Sequence, residues 1–224
     1  MFEYKNVRKD CQKKLKGNKK MPKQQEKINS LYHDTKKKIL HIAARLFSER
    51  GYSQVSVREI CELAEIGKPT LYYYFKDKQT LFLKLIEESR TITNKLVDEF
   101  IISQPEFKRQ FHGLFRLHLE YLKKHSNFVR FFFVVHFMSL DQNLKNEVIE
   151  QSKEYLQKLQ EFIKKGQKEG HISSELPVST ISLAIFGSIR YFMLYHLQNI
   201  DTEFDVEREL EELYQFWVNK IFLK

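Results

Sequence analysis

Apolar residues recur along this chain at the spacing of an α-helix, and few glycines or prolines interrupt them. In TKKKILHIAARLFSERG (35–51) they stand three and four residues apart, and Gly51 provides a C-terminal stop. The 224 residues contain only 7 Gly and 4 Pro. This composition is typical of a helix-rich globular protein rather than a β-sandwich or a disordered chain. We therefore predict an all-α protein.

The segment after the first helix divides into three further helices. Ser56 can cap the short helix VREICELA, whose apolar residues form one stripe. A tight turn at Glu65 follows, and Gly67 can cap a third helix that runs to about Phe75. A fourth, longer helix is predicted at 78–103. The N-terminal region is therefore expected to be a three-helix domain followed by a long connecting helix.

The rest of the chain reads as a larger helical bundle. Five helices are predicted there, at 105–124, 127–139, 144–165, 177–198 and 206–222. The last two are apolar around more of their circumference than a surface helix needs, which implies a partner surface. Gly187 and Ser188 would let another helix approach closely. We predict a homodimer formed through these two C-terminal helices.

Two short helices joined by a tight turn describe a helix-turn-helix, and the second helix presents three consecutive tyrosines in KPTLYYYF. On a helical wheel with Leu71 and Phe75 facing inward, Tyr74 is half-buried, whereas Tyr72 and Tyr73 point outward. Exposed neighbouring rings are costly unless a partner uses them, and a phenol can donate to a phosphate oxygen. We predict that this face binds DNA. A small three-helix bundle with surface tyrosines is the alternative.

The positive charge is concentrated at the N-terminus. The formal net charge of the chain is +9, and residues 1–30 carry 10 Lys and Arg against 3 Asp and Glu, a net charge of +7. This asymmetry favours a polyanionic partner, either nucleic acid or an anionic membrane surface, and a solvated tail is the alternative. We expect a basic arm at 1–31 that is at most partly helical.

No catalytic or metal-binding motif is present in the sequence, so we expect neither an enzyme nor a cofactor. His118 and His125 could share a helix face, but the absence of a third ligand favours hydrogen-bonded or solvated histidines over a metal site. The 2 Cys form no disulfide framework, which fits a reducing, cytoplasmic setting. The most hydrophobic run, FVRFFFVVHFM (128–138), is too short to span a membrane.

The stretch from Thr35 to about Leu85 resembles the DNA-binding domain of TetR-type transcriptional regulators. The resemblance rests on ILHIAARLFSERGY, SVREICELAEIG and KPTLYYYFKDKQTLF, the last of which matches the family's L-Y-x-Y-F-x-x-K. It implies that Ser56 and Arg58 meet the DNA backbone and that Lys78 binds a phosphate. It also implies a recognition surface made of Lys68, Pro69, Thr70, Tyr72 and Tyr73.

Two positions depart from the usual pattern of that family. Glu65 stands in the turn where the family usually has glycine, and Gly67 stands at the cap of the recognition helix where it often has serine. Glu65 must therefore form the turn without the conformational freedom of glycine, and we expect a slightly shifted turn. Gly67 remains an acceptable cap.

The middle of the chain is dense in phenylalanine, and these rings either pack as core or line a pocket for an apolar or aromatic effector. The resemblance favours the pocket, because members of the family typically bind a small ligand in the C-terminal domain. The candidate ligand-binding residues are Phe111, Phe115, Phe132, His136 and Tyr155.

These features together predict a basic arm at 1–31, a helix-turn-helix domain at 32–80, and a helical ligand-binding and dimerisation domain at 81–224. The predicted function is that of a cytoplasmic transcriptional regulator, a dimeric repressor that a small effector releases from a palindromic operator in double-stranded DNA. A basic helical adaptor that binds an anionic membrane surface or protein partners is the alternative.

Overall fold

The computed structural model describes residues 23–136, 138–198 and 205–223, and this part of the chain is built from helices. In chain order they are α1 (Lys23–Arg50), α2 (Val57–Ala64), α3 (Lys68–Tyr74), α4 (Lys78–Val97), α5 (Phe107–Lys124), α6 (Ser126–Val135), α7 (Gln142–Lys168), α8 (Val178–Gln198) and α9 (Val206–Ile221). A π-helical turn, Asp98–Ile102, continues α4. The all-α prediction is confirmed.

Helix α1 begins at Lys23, well before the predicted start at Thr35. Its first part is rich in Lys, Gln and Glu, which have high helix propensity but give no apolar stripe that periodicity could detect. The predicted arm at 1–31 thus contributes its last residues to α1, and residues 1–22 lie outside the described part of the chain.

The chain divides into two compact units, residues 1–37 and residues 38–224. Within the second unit, α1 from Ile39 onward, α2 and α3 enclose a small apolar core. Its fully or almost fully buried members include Ile39, Phe47, Ile60, Ala64, Leu71 and Phe75. The predicted boundary between a DNA-binding domain at 32–80 and a ligand-binding domain at 81–224 stays a prediction.

Helix α5 is the central element of the larger helical region, since it packs against α4, α6, α8 and α9. Gly113 of α5 lies directly against the π-helical turn. A Cβ atom added at Gly113 would stand 1.8 Å from the carbonyl oxygen of Phe100. The missing side chain therefore permits an approach between α5 and this turn that no other residue allows.

Three phenylalanines join α1 and α4 to α6. The ring centroid of Phe47 lies 5.9 Å from that of Phe82 and 6.4 Å from that of Phe131, and the last two are 5.3 Å apart. All three side chains are buried from solvent. This phenylalanine cluster connects the helix-turn-helix to the bundle that follows it.

Helix α8 is long and apolar enough to cross a membrane by length and composition alone, as core helices of other proteins also are. Here it packs against α5, α6, α7 and α9. Its exposed apolar positions, Leu183 and Tyr191, face away from these contacts.

Replacing Gly113 by alanine should lower the free energy of unfolding by about 3 kcal/mol or more, because the new Cβ overlaps backbone atoms that cannot move without displacing the π-helical turn. Urea unfolding followed by circular dichroism measures this change. The control is Gly67→Ala, whose Cβ would stand 3.5 Å from Pro69 Cδ, an ordinary contact. Equal stabilities of the two variants would contradict the close approach.

Candidate DNA-binding surface and ligand cavity

Glu65 closes the turn between α2 and α3 in the left-handed conformation, with φ 56° and ψ 44°. Its N–H donates to the carbonyl of Glu62 at 3.2 Å, and the N–H of Ile66 donates to that of Cys61 at 3.0 Å. Lys38 Nζ donates to Glu65 Oε2 at 2.9 Å, and this hydrogen bond lowers the pKa of the carboxyl. Glutamate therefore takes the conformation that glycine would favour, and a lysine of α1 neutralises its charge.

Helix α3 presents its tyrosines as the helical wheel predicts. Leu71 is completely buried and Tyr74 is half-buried, whereas Tyr72 and Tyr73 expose 49% and 75% of their surface. The ring of Tyr73 packs edge-on against that of Tyr74, with centroids 5.3 Å apart. The other predicted recognition residues are exposed as well, namely Lys68, Pro69 and Thr70.

The two candidates on α2 are exposed and already bonded within the chain. Ser56 is the N-cap, and its Oγ accepts from the N–H of Glu59 at 3.1 Å. Arg58 Nε donates to Glu62 Oε1 at 2.7 Å, and this hydrogen bond raises the pKa of the guanidinium. An exposed pair of this kind is weak, so Arg58 can exchange Glu62 for a phosphate at little cost.

Lys78 has a structural role that sequence reasoning missed. Its Nζ donates to the carbonyl oxygens of Tyr52 and Val55, at 2.9 and 3.0 Å, and stands 4.3 Å from the centroid of the Tyr52 ring. Burial lowers the pKa of this ammonium. Lys78 thus ties the first turn of α4 to the loop between α1 and α2. Only the third N–H is left for the predicted phosphate contact.

A cavity of about 610 Å³ lies among α4, α5, α6, α7 and α8. Small-molecule sites in proteins typically enclose about 300–1,000 Å³ and have mostly apolar walls with a few polar groups. The apolar wall of this cavity includes Leu114, Leu117, Val129, Leu159 and Met193. Its size and lining suit a small organic ligand.

A chain of two hydrogen bonds stands in the cavity wall. His118 Nδ1 donates to the carbonyl of Leu114 at 2.7 Å, because a carbonyl oxygen can only accept. His118 Nε2 therefore accepts, and the hydroxyl of Tyr155 donates to it at 3.0 Å. Burial lowers the pKa of His118 to about 4 and raises the pKa of Tyr155, so both groups are neutral at pH 7.

A second polar pair joins α4 to α5 in the same wall. The Ser89 hydroxyl and the Tyr121 hydroxyl lie 2.7 Å apart, and both side chains are buried. Among the described residues, no group of three His, Cys, Asp or Glu side chains could hold a metal ion.

Two of the five predicted ligand-binding residues, Phe132 and Tyr155, line the cavity. Phe111 and Phe115 do not, and the prediction for them is corrected. Both are completely buried and pack against Tyr214 of α9, with ring centroids 6.0 and 5.7 Å away. The reason is that α5 buries two faces, and only one of them meets the cavity.

His136 lies behind the cavity wall rather than in it. Its two ring nitrogens lie 3.0 Å from the carbonyl of Phe132 and 2.8 Å from Ser152 Oγ. Both of these partners line the cavity. Burial is the main reason for the lowered pKa of His136. The histidine therefore supports the wall that a ligand would touch.

Sequence reasoning missed Arg190, which lines the cavity from α8. The signal was a single charge inside the apolar run SLAIFGSIRYFMLYHL. A charge that interrupts such a run is costly to bury without a partner, so it marks a position where a compensating group is expected.

Comparison with known proteins assigns the chain to a family. It matches the family described as bacterial regulatory proteins, tetR family, over residues 39–85, and the tetracyclin repressor-like C-terminal domain over residues 105–194. The protein belongs to the tetR family. As a tetR-family member it is a DNA-binding transcriptional regulator that responds to a ligand. The alternative function, an adaptor that binds an anionic membrane surface or protein partners, is not favoured.

Individual relatives agree with this assignment. The tetR-family chain is 27% identical to the transcriptional regulator QacR of Staphylococcus aureus, over 80% of its own length and 95% of QacR. The structure of FadR from Bacillus subtilis in complex with stearoyl-CoA has a TM-score of 0.66 at 23% identity and covers 81% of this chain and 96% of FadR. The structure of MbdR from Azoarcus has a TM-score of 0.73 at 17% identity and covers 84% of this chain and 100% of MbdR. The two structures establish the fold.

Acidification should destabilise this tetR-family protein through His118. The unfolded chain has a histidine pKa of about 6.5 and the folded protein one of about 4, so between these values the unfolded state binds more protons. The free energy of unfolding should therefore fall as the pH falls, by up to about 1.4 kcal/mol per pH unit.

Urea unfolding at pH 7 and pH 5 measures this effect in the wild-type protein and in His118→Gln. The variant should lose less stability between the two pH values, because the other titrating groups contribute equally to both proteins. Parallel pH dependences would contradict a buried, neutral His118.

Proposed function

We propose that this protein is a dimeric repressor that binds a palindromic operator and is released from it when a small apolar effector occupies the cavity. The observation that carries the proposal is that one tetR-family chain combines an exposed tyrosine face on α3 with a cavity of about 610 Å³. A cytoplasmic location follows from the need to reach chromosomal DNA.

The α3 face suits DNA in the major groove. The hydroxyls of Tyr72 and Tyr73 can donate to phosphate oxygens, which would fix the position of the helix on the duplex. Lys68 and Thr70 can reach base edges from the start of the helix. Arg58 would add a backbone contact from α2 once it leaves Glu62. This division predicts that the tyrosines contribute affinity and that Lys68 and Thr70 contribute sequence preference.

The dimer would form through an apolar stripe on α8. Leu183, Gly187 and Tyr191 follow one another at four-residue spacing, and the two large side chains expose 61% and 70% of their surface. Phe216 of α9 exposes 52%. A two-fold axis through this surface would present two α3 helices to successive major grooves, about 34 Å apart on a palindrome.

The hydroxyl of Ser188 is bonded within its own chain, so the proposed close approach does not rely on it. Its Oγ accepts from Trp217 Nε1 at 3.1 Å and donates to the carbonyl of Ile185 at 2.9 Å. Ser188 therefore faces α9 of its own chain. A close approach of a second α8 would depend on Gly187, around which no atom lies within 4 Å of an added Cβ.

The effector would act on DNA binding through α4. This helix contributes Ser89 and Leu96 to the cavity wall, and its first residue, Lys78, holds the carbonyls of Tyr52 and Val55 beside the helix-turn-helix. A ligand that shifts α4 would thereby favour a spacing of the two α3 helices that no longer fits the operator. The FadR structure, which contains stearoyl-CoA, supports a ligand with an apolar body.

Selection of bound sequences from a random duplex library at near-physiological salt tests the DNA-binding proposal. We expect a palindrome to be enriched. Tyr73→Phe should weaken binding to it by about fivefold to tenfold, because one hydrogen bond to a phosphate is lost. Tyr73→Ala should weaken binding further while unfolding at nearly the wild-type temperature, since the ring is exposed. Binding without sequence preference would contradict the proposal.

Light scattering with size-exclusion chromatography tests the dimer surface. The double variant Leu183→Glu and Tyr191→Glu should shift the protein from dimer to monomer, because it places charges in an apolar interface. It should also lose operator binding. The control is Leu176→Glu, which changes a residue of similar exposure outside the stripe. A dimer that survives the double variant would place the interface elsewhere.

A further inference from the structure

Arg190 places a guanidinium at the wall of an otherwise largely apolar cavity. Its Cζ lies 4.8 Å from the ring centroid of Phe133, 5.1 Å from that of Phe132 and 5.2 Å from that of Phe186. Two of these rings belong to α6 and the third to α8 itself. Aromatic rings therefore surround one side of the guanidinium, and its other side borders the cavity.

No protein anion neutralises this charge among the residues that the structure describes. Arg190 takes part in none of the ion pairs or hydrogen bonds found there. Glu154 of the cavity wall lies instead 3.2 Å from Arg90 Nε and 3.9 Å from Lys158 Nζ. The nearby phenol of Tyr155 is no counter-ion either, because burial raises its pKa and keeps it neutral at pH 7. The guanidinium is thus a cation without a counter-ion from these residues.

Aromatic rings satisfy only part of what a guanidinium requires. Their faces attract the positive charge, but they do not accept its five N–H donors as an oxygen atom does. Burial lowers the pKa of Arg190, so the site is partly withdrawn from water. A planar fork of donors in such surroundings matches a carboxylate, which accepts two parallel hydrogen bonds.

The charges of the whole cavity wall favour the same kind of ligand. Its charged members, in the described part of the chain, are three basic and two acidic side chains, namely Arg90, Lys158, Arg190, Asp98 and Glu154. His118 is neutral at pH 7. The wall therefore carries one positive charge more than it carries negative charges. An effector with a single negative charge would balance it, whereas a cationic effector would meet repulsion at Arg190.

We propose that the effector is an organic carboxylate with an apolar body, which binds with its carboxylate on Arg190 and its body against the leucine and methionine side chains of the cavity. This inference rests on the proposed function and specifies the chemical class of its ligand. A partly buried cation without a counter-ion costs stability in the empty protein, and the carboxylate removes that cost. Arg190 is accordingly a binding residue rather than a support of the fold.

Calorimetric titration with dodecanoate and dodecan-1-ol, which share one apolar chain, tests the proposal. Wild-type protein should bind dodecanoate at least about tenfold more tightly than the alcohol. Arg190→Gln should weaken dodecanoate binding by about 10- to 100-fold and leave the alcohol unchanged. Arg190→Lys should show an intermediate loss, because it keeps the charge without the fork. Arg109→Gln, which removes an exposed arginine of α5 that does not line the cavity, is the control and should keep the preference for the carboxylate.

A stability measurement separates ligand binding from a structural role. Ligand-free Arg190→Gln should unfold at the wild-type temperature or above it. A lower unfolding temperature, together with equal losses of dodecanoate and dodecan-1-ol binding, would overturn the proposal, and so would a wild-type protein that does not prefer the carboxylate. Release of DNA by the alcohol alone would contradict the proposal of a carboxylate effector but would agree with the proposed repressor function. DNA binding that neither compound changes would instead contradict the proposed function.

Discussion

Phe47, Phe82 and Phe131 pack against one another where three helices meet. This contact buries rings from α1, α4 and α6 against one another and so fixes the helix-turn-helix to the bundle. The next residue of α6, Phe132, lines the cavity and touches the guanidinium of Arg190. Protein interiors are close-packed, so a ligand that displaces α6 must repack this contact rather than deform it continuously. The cavity and the DNA-binding surface are therefore parts of one packed unit.

The polar groups of the cavity wall differ in how well the protein satisfies them. The bonds from Tyr155 to His118 and from His118 to Leu114 give every polar atom they include a partner, and one hydrogen bond joins the Ser89 and Tyr121 hydroxyls between α4 and α5. Arg190 lies over three aromatic rings and has no ion pair among the described residues. These hydrogen bonds hold their side chains in place in the wall, whereas a cation without a counter-ion can gain binding energy from a ligand.

Sequence periodicity predicted those features that depend only on one helix and its nearest neighbour, such as which side chains are buried. The inward side of α3 and the exposure of Tyr72 and Tyr73 follow from a helical wheel, because a seven-residue helix has one buried face. The start of α1 could not be found in this way, since Lys, Gln and Glu form a helix without an apolar stripe. Nor could the wheel separate Phe111, which packs on α9, from Phe132, which lines the cavity. Both rings stand at helical spacing, and only tertiary packing decides which helix each one meets.

A ligand in the cavity and DNA on α3 are proposed to oppose each other. The most direct test measures the affinity of the protein for its selected operator with and without saturating dodecanoate, and the affinity for dodecanoate with and without the operator. Because the two binding free energies are linked, we expect each partner to weaken the binding of the other by the same factor, about tenfold or more. Dodecanoate that binds tightly yet leaves operator affinity unchanged would contradict this expectation.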